Sequence, residues 1–282
     1  MPSGHVLVHI DDVAPENMQR KDGWSISEFR LPITGACGSS TAVFHSIFRP
    51  GSTHKKHLHT RCDEITVYLR GHGVVGQSEG RAVVRPGHCR LIPQGSEHFF
   101  HNVTRDEDAL VVGFYVGAKD VADSGYQFCG DVTVSDLSRR RTGFTEGVLV
   151  HLNDVPPQTM NTQEGWPAGE FRLPLGRHNG SGTALYHARL APGAVQQKHR
   201  HDNCEEIYYV VSGHGLAGAG VDRAAVRAGH CHYIPIGAEH WLANTSATEP
   251  LEIIGIYVGA GGVAETSFIH TGDVTEAELS AS

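Results

Sequence analysis

Two tandem all-β domains are predicted for this chain, from three observations. The sequence is written twice, its short apolar runs carry β-rich residues, and no long segment keeps a clean 3.6-residue apolar period. HVLVHIDDVAP near the start returns as GVLVHLNDVPP, and WSISEFRLPI from Trp24 returns as WPAGEFRLPL from Trp166. PGHCRLIPQGSEHFFHN from Pro86 returns as AGHCHYIPIGAEHWLAN from Ala228. The offset is 142 residues between His57 and His199, between His98 and His240, and between Gly130 and Gly272, so no insertion separates these landmarks. Each copy is domain-sized rather than a short solenoid repeat. The seam is expected in SRRRTGFTEG, Ser138 to Gly147, with the domains at 1–142 and 143–282.

Within each copy, runs such as TAVFHSIF, ITVYLRG, CRLIP and ALVVGFYV read as strands, punctuated by Gly, Pro, Asn and Asp. The 34 glycines suit many tight turns. DVTVSDLSRR and DVTEAELSAS can each start a short helix with Asp or Thr near its cap. Each half is therefore expected to be a β-sandwich or barrel.

Composition narrows the function classes. A formal charge of -8 gives no electrostatic reason to expect nucleic acid or an anionic membrane as a partner. No run approaches 18 apolar residues, and MPSGHVLVHIDD lacks the pattern of a secretory signal. The six cysteines form no CxxC pair, which favours free thiols and a cytoplasmic protein. Twenty histidines are an unusual supply of nitrogen ligands.

Those histidines fall in a pattern. His57 and His59 flank Leu58, and on a strand residues i and i+2 face one side. Glu64 follows after polar residues suited to a turn, which would return it on the neighbouring strand, and His98 follows the turn-like PQGSE. His199, His201, Glu206 and His240 repeat these separations. Three imidazoles and a carboxylate suit a first-row divalent metal with coordination positions left for water or substrate. Two solvated histidine-rich turns, the plainer alternative, would have to keep four ligand positions in register twice.

Other groups follow from strand parity. Lys55 and Gln197 share parity with the histidine pair and are candidates for the pocket mouth, with a solvated rim as the alternative. Thr66 and Tyr68 share parity with Glu64, and Tyr208 and Val210 with Glu206, so the two cavities should differ in polarity and shape. Tyr68 and Tyr208 are candidate substrate-contacting groups, although a strand tyrosine equally often packs in a core. His45 and His187 are candidates for substrate contact or outer support of the metal, or for satisfied core histidines. Arg30 and Arg172 suit either an acidic substrate or a structural ion pair. Cys62 and Cys204, two residues before the glutamates, read best as small buried thiols.

The sequence resembles the cupin superfamily, specifically its bicupins. The first motif, G(X)5HXH(X)4E(X)6G, matches Gly51, His57, His59, Glu64 and Gly71, and again Gly193, His199, His201, Glu206 and Gly213. The second, G(X)5PXG(X)2H(X)3N, matches Gly87, Pro93, Gly95, His98 and Asn102, then Gly229, Pro235, Gly237, His240 and Asn244. The resemblance implies a double-stranded β-helix, or jelly roll, in each half, with a divalent metal inside each barrel. It implies Fe(II) first, with Mn, Ni, Zn or Cu as alternatives, and a homodimer through edge strands. Among cupin chemistries the leading expectation is an Fe(II) dioxygenase acting on a small organic substrate and O2. Glu64 or Glu206 would double as a proton acceptor. Alternatives are a non-oxidative isomerase, lyase or decarboxylase, and a metal-dependent small-molecule binding protein. Bicupin oxalate decarboxylases resemble this pattern but carry an arginine just upstream of the first ligand histidine. His54 and Gln196 stand three residues before that histidine here, which counts against oxalate.

Overall fold

The computed structural model describes residues 4–138, 144 and 146–280. The expected seam at Ser138 to Gly147 therefore lies largely outside the described residues, as do Arg139 and Arg140 of the first helix reading. The chain forms two compact units, Asp12–Asp154 and Met1–Asp11 with Val155–Ser282. This differs from a cut after residue 142, and the strand ladders give the reason. Val6–His9 pairs antiparallel with His230–Ile234 of the second copy, while Val148–His151 pairs with His88–Ile92 of the first. The opening strand of each sequence repeat thus completes a sheet built from the other repeat.

Each unit is a pair of antiparallel sheets, as alternating strand patterns and short turns dictate. In the N-terminal unit one sheet runs Val148–His151, His88–Ile92, Asp63–Arg70, Ala109–Val116, Ala42–Phe48 and Glu28–Ile33. The other runs Tyr126–Gly130, Thr53–His59, His98–Asn102, Gly73–Gln77 and Gly80–Val84, with Trp24–Ser25 added against Thr53–His59. The C-terminal unit repeats this plan, with the ligand strands Val195–His201 and His240–Asn244 in one sheet and Glu205–Ser212 in the other. The jelly-roll expectation holds for both halves.

The two faces of each sandwich enclose an apolar core. In the N-terminal unit Phe29, Phe44, Phe48, Tyr68, Phe100 and Tyr115 pack together; in the C-terminal unit Phe171, Tyr186, Leu190, Tyr208, Leu242 and Tyr257 do so. The turn before each third histidine needs a left-handed residue: Gly95 has φ 78° and Gly237 has φ 76°. The two expected short helices form at Val134–Ser138 and Glu276–Leu279. Among the described residues no helix is long and apolar enough to cross a membrane.

Candidate metal centres

Three of the four candidate ligands of each unit come from one sheet and the fourth from the other. His57 sits opposite His98 in the ladder between Thr53–His59 and His98–Asn102, and His59 follows on the same face. Glu64 does not return on the neighbouring strand of that sheet. The turn at residues 60–62 carries the chain to the facing sheet, and Glu64 reaches the histidines across the sandwich. His199, His201, Glu206 and His240 repeat the arrangement. In each set all four residues are buried, and one ligand atom from each lies within 4.8 Å of the others.

The histidine tautomers fit a metal. The His57 Nδ1–H donates to the Lys55 carbonyl at 2.7 Å and that of His98 to the Ser96 carbonyl at 2.9 Å. His199 and His240 donate likewise to the carbonyls of Gln197 and Ala238, at 2.8 and 2.9 Å. A carbonyl only accepts, so each Nε2 keeps its lone pair for the centre of the cluster. His57 Nε2 is buried with no hydrogen-bond partner among the described residues, an orphaned acceptor that an ion would satisfy. Burial pushes His57 and His199 well below the ordinary histidine range, so both rings are neutral, as a ligand must be.

Around this shared frame the two sites differ. Tyr186 donates to Glu206 Oε1 at 2.5 Å, while Glu206 Oε2 lies 3.0 Å from His201 Nε2 and 2.8 Å from His240 Nε2. In the N-terminal unit Phe44 replaces that tyrosine, and Glu64 Oε2 lies 2.9 and 3.4 Å from His59 and His98. The outer support of the second histidine is reversed. Ser124 Oγ donates to the Val121 carbonyl and accepts the His59 Nδ1–H at 2.8 Å, whereas His201 Nδ1 has no partner among the described residues. His54 stacks on His57 with ring centroids 3.7 Å apart, and Trp24 covers it at 4.3 Å.

The space beside each cluster differs as well. The N-terminal cavity has a volume of about 30 Å³, with Glu64, His57 and His98 on one side and Thr66, Tyr68 and Arg90 among its other lining groups. The C-terminal counterpart beside Glu206, under Tyr186 and Trp166, is about 10 Å³. Tyr208 and His232 replace Thr66 and Arg90 there, with His232 Nδ1 2.8 Å from the Tyr208 hydroxyl.

Several candidates fall elsewhere. Lys55 pairs with Asp131 at 2.6 Å, and Gln197 Oε1 accepts from the Val274 N–H at 2.7 Å, so both tie down the segment that follows the last strand of their unit. His45 is out of phase with Phe44, Ser46 and Phe48, which line the cavity; His187 donates to Glu252 at 2.8 Å. Neither lines a metal cavity. Arg30 and Arg172 pair with Glu28 and Glu170. Tyr68 lines the N-terminal cavity, and Tyr208 is buried against His232. All six cysteines are free, and burial raises the Cys62 and Cys204 thiols to about 12, which makes them inert. Sequence reasoning missed Arg90 and Tyr186. The signal for Arg90 was a lone charge inside the apolar run CRLIP, at the register position opposite Thr66.

Comparison with known proteins places this architecture. The cupin family model matches residues 24–129 and the cupin-domain model residues 186–257. The chain belongs to the cupins and is a bicupin. Over 75 residues it is 37% identical to oxalate oxidase GF-2.8 of Triticum aestivum, covering 24% of this chain and 34% of that protein. It is 37% identical over 75 residues to germin-like protein 3-3 of Oryza sativa subsp. japonica, covering 24% and 33%. The match thus spans about a third of the length of these curated relatives. Among solved structures, the Lactobacillus farciminis oxalate decarboxylase formate complex superposes with a TM-score of 0.71 at 16% identity, covering 94% of this chain and 88% of that one. A Bacillus subtilis oxalate decarboxylase, studied for its Mn(II) centres, superposes with a TM-score of 0.67 at 16% identity, covering 96% and 79%. At such identity these two likenesses concern the fold.

These findings correct three expectations. An Fe(II) dioxygenase is not supported: the relatives are oxalate oxidases and germin-like proteins. The preference for iron falls with it. The cytoplasmic expectation is corrected too, because germins and oxalate oxidases are typically secreted or extracellular. Free cysteines were its main basis, and a protein without disulfides fits any compartment. The findings together support a metal-dependent bicupin enzyme.

Proposed function

We propose that this bicupin is a manganese-dependent enzyme that oxidises or decarboxylates a small carboxylic acid of the oxalate type, with the N-terminal barrel as its reaction chamber. The observation that carries this reading is the small enclosed cavity onto which His57, Glu64 and His98 open. Its 30 Å³ is room for about two water positions, which selects a ligand of very few heavy atoms. The kinship with oxalate oxidases names the first acid to test.

His57, His59, Glu64 and His98 would hold the ion; the Glu64 carboxylate and an incoming substrate carboxylate suit manganese, while the three imidazoles accept several first-row metals. When bound, the ion supplies Lewis-acid polarisation of a chelating carboxylate and a redox couple. Phe29, Phe44, Phe48, Phe99 and Phe100 wall the cavity and keep its dielectric low, so every charge inside acts strongly. The histidines are fixed by their Nδ1 bonds, and Glu64 lacks the tyrosine that holds Glu206. Glu64 is therefore the carboxylate with freedom to shift as substrate enters. The missing arginine upstream of His57 does not count against oxalate as strongly as the sequence suggested, because a different cation, Arg90, lines the same cavity.

The test is direct. Protein loaded with Mn(II) is incubated with oxalate, and formate, CO2, hydrogen peroxide and O2 uptake are measured. Formate with CO2 identifies a decarboxylase, and CO2 with peroxide and O2 uptake an oxidase. Absence of every product from protein carrying its full manganese overturns the reading.

A further inference from the structure

Arg90 is the outstanding side chain of the N-terminal barrel. It is 1% exposed, yet no carboxylate among the described residues lies within ion-pair distance of it. Its Nη2 donates to the Gly76 carbonyl at 2.8 Å and to Gln77 Oε1 at 3.1 Å, the Tyr68 hydroxyl also bonds the guanidinium, and its Cζ lies 4.7 Å from the Phe144 ring centroid. These partners are neutral. Its Nε is buried with no hydrogen-bond partner among the described residues. An arginine does not shed its proton, so this barrel holds a full positive charge in an apolar wall, and among the described residues it is answered only across the cavity, by the Glu64 carboxylate that is itself a candidate metal ligand.

The surroundings show where that anion would sit. Arg90 lines the cavity that also contains Glu64, His57 and His98. In the ladder between His88–Ile92 and Asp63–Arg70 it lies opposite Thr66, and Ile92 lies opposite Glu64, so Arg90 stands two residues deeper than the candidate ligand glutamate on the same face. Thr66 Oγ1 lies 3.4 Å from the Tyr68 hydroxyl, adding two further polar groups to that end of the cavity. The matching position of the C-terminal barrel carries no arginine. His232 takes the place of Arg90, is kept neutral by burial at a pKa of about 3, and is engaged by Tyr208 and by His5 at 3.1 Å.

We propose that Arg90, with the Tyr68 and Thr66 hydroxyls, forms an internal carboxylate subsite of the N-terminal barrel, facing the metal centre across the cavity. A dicarboxylate would place one carboxylate on the metal and the other against the guanidinium. This rests on the reading of that barrel as the chamber for a small acid, and it gives the chamber a preference for two negative groups over one. The C-terminal barrel, lacking the cation, has no such preference.

The experiment measures binding rather than turnover. Manganese-loaded protein is titrated anaerobically with oxalate, and with oxamate, in which one carboxylate is a neutral amide. Wild type is expected to bind oxalate more tightly than oxamate. Arg90→Met, which keeps the volume but not the charge, should weaken oxalate by roughly 30-fold or more and abolish the preference, with manganese content unchanged. Arg90→Lys, which keeps the charge and loses the planar fork, should retain part of the preference. Unaltered oxalate affinity in both variants overturns the proposal, as does a wild type that binds the two ligands equally. A wild type that binds oxalate through Arg90 without converting it sinks the proposed reaction and leaves the subsite standing.

Discussion

The two barrels keep the same four kinds of candidate ligand and the same ladders but have parted company in what surrounds them. The N-terminal barrel has Phe44, Thr66, Tyr68 and Arg90 where the C-terminal one has Tyr186, Tyr208, Val210 and His232. The first set leaves the glutamate without a tyrosine donor and lines a small enclosed cavity with a cation; the second clamps the glutamate and places a tyrosine–histidine pair at the matching positions. Metal geometry is thus separable from chamber chemistry. Ligands set by backbone register persist in both copies, while the walls that decide what reaches the metal have diverged.

The largest effect should separate the barrels functionally. His57→Ala is expected to reduce turnover of oxalate by more than ~100-fold, beyond the usual cost of losing an outer partner of a ligand, whereas His199→Ala should retain most of it. Manganese content, measured alongside, should fall by one ion per chain in each variant. Equal loss of turnover in the two would remove the functional distinction.

Stability should differ next. Asp136 binds Arg81 and Lys56, both at 2.8 Å, and is buried with Arg81. Asp136→Ala strands the buried Arg81 and should cost about 3–5 kcal/mol in denaturant unfolding. At the equivalent C-terminal position, Glu278 pairs with Lys198 at 2.8 Å in a more exposed setting, so Glu278→Ala should cost under about 1 kcal/mol. Comparable losses at the two positions would show that burial is not what separates them.

The clamp on Glu206 should be visible in metal retention. Tyr186→Phe is expected to weaken manganese retention at the C-terminal centre by roughly 10- to 100-fold in a chelator competition, and Phe44→Tyr to strengthen it at the N-terminal centre. Unchanged retention in Tyr186→Phe would mean the 2.5 Å bond only fills space.

The smallest effect concerns acid. Lys198 and Thr275 hold the Glu278 carboxyl down at about 2, from an ordinary 4.5. Because the folded pKa is depressed, the tether's contribution is complete above about pH 4.5 and fades as pH falls towards 2. Amide exchange in Glu276–Leu279 should quicken across that window and lose this pH dependence in Glu278→Gln.

Fold and metal face were legible because both are periodic. The constant spacing of the repeats carried the duplication, and strand parity carried His57 with His59 and Glu64 with Tyr68. The exchange of opening strands was not legible: HVLVHIDD and GVLVHLND each read as a strand, but sequence does not say which sheet a strand joins. Glu64 was placed on a neighbouring strand because a polar turn looks alike whether it closes a hairpin or crosses to the facing sheet. Lys55 and Gln197 shared the right parity, yet their long side chains reach sideways to Asp131 and to the Val274 N–H. Arg90 was hidden for the opposite reason: a charge in an apolar strand reads as surface until the sheet facing it is known.

Whether only one of the two metal frames serves as a chamber can be read by counting bound ligand. Protein with both centres loaded with manganese is titrated with oxalate under anaerobic conditions, and the number bound per chain is read from the calorimetric endpoint. The account predicts one oxalate per chain, lost in His57→Ala and kept in His199→Ala. Two equivalent oxalates per chain, or a single one lost only in His199→Ala, would contradict it.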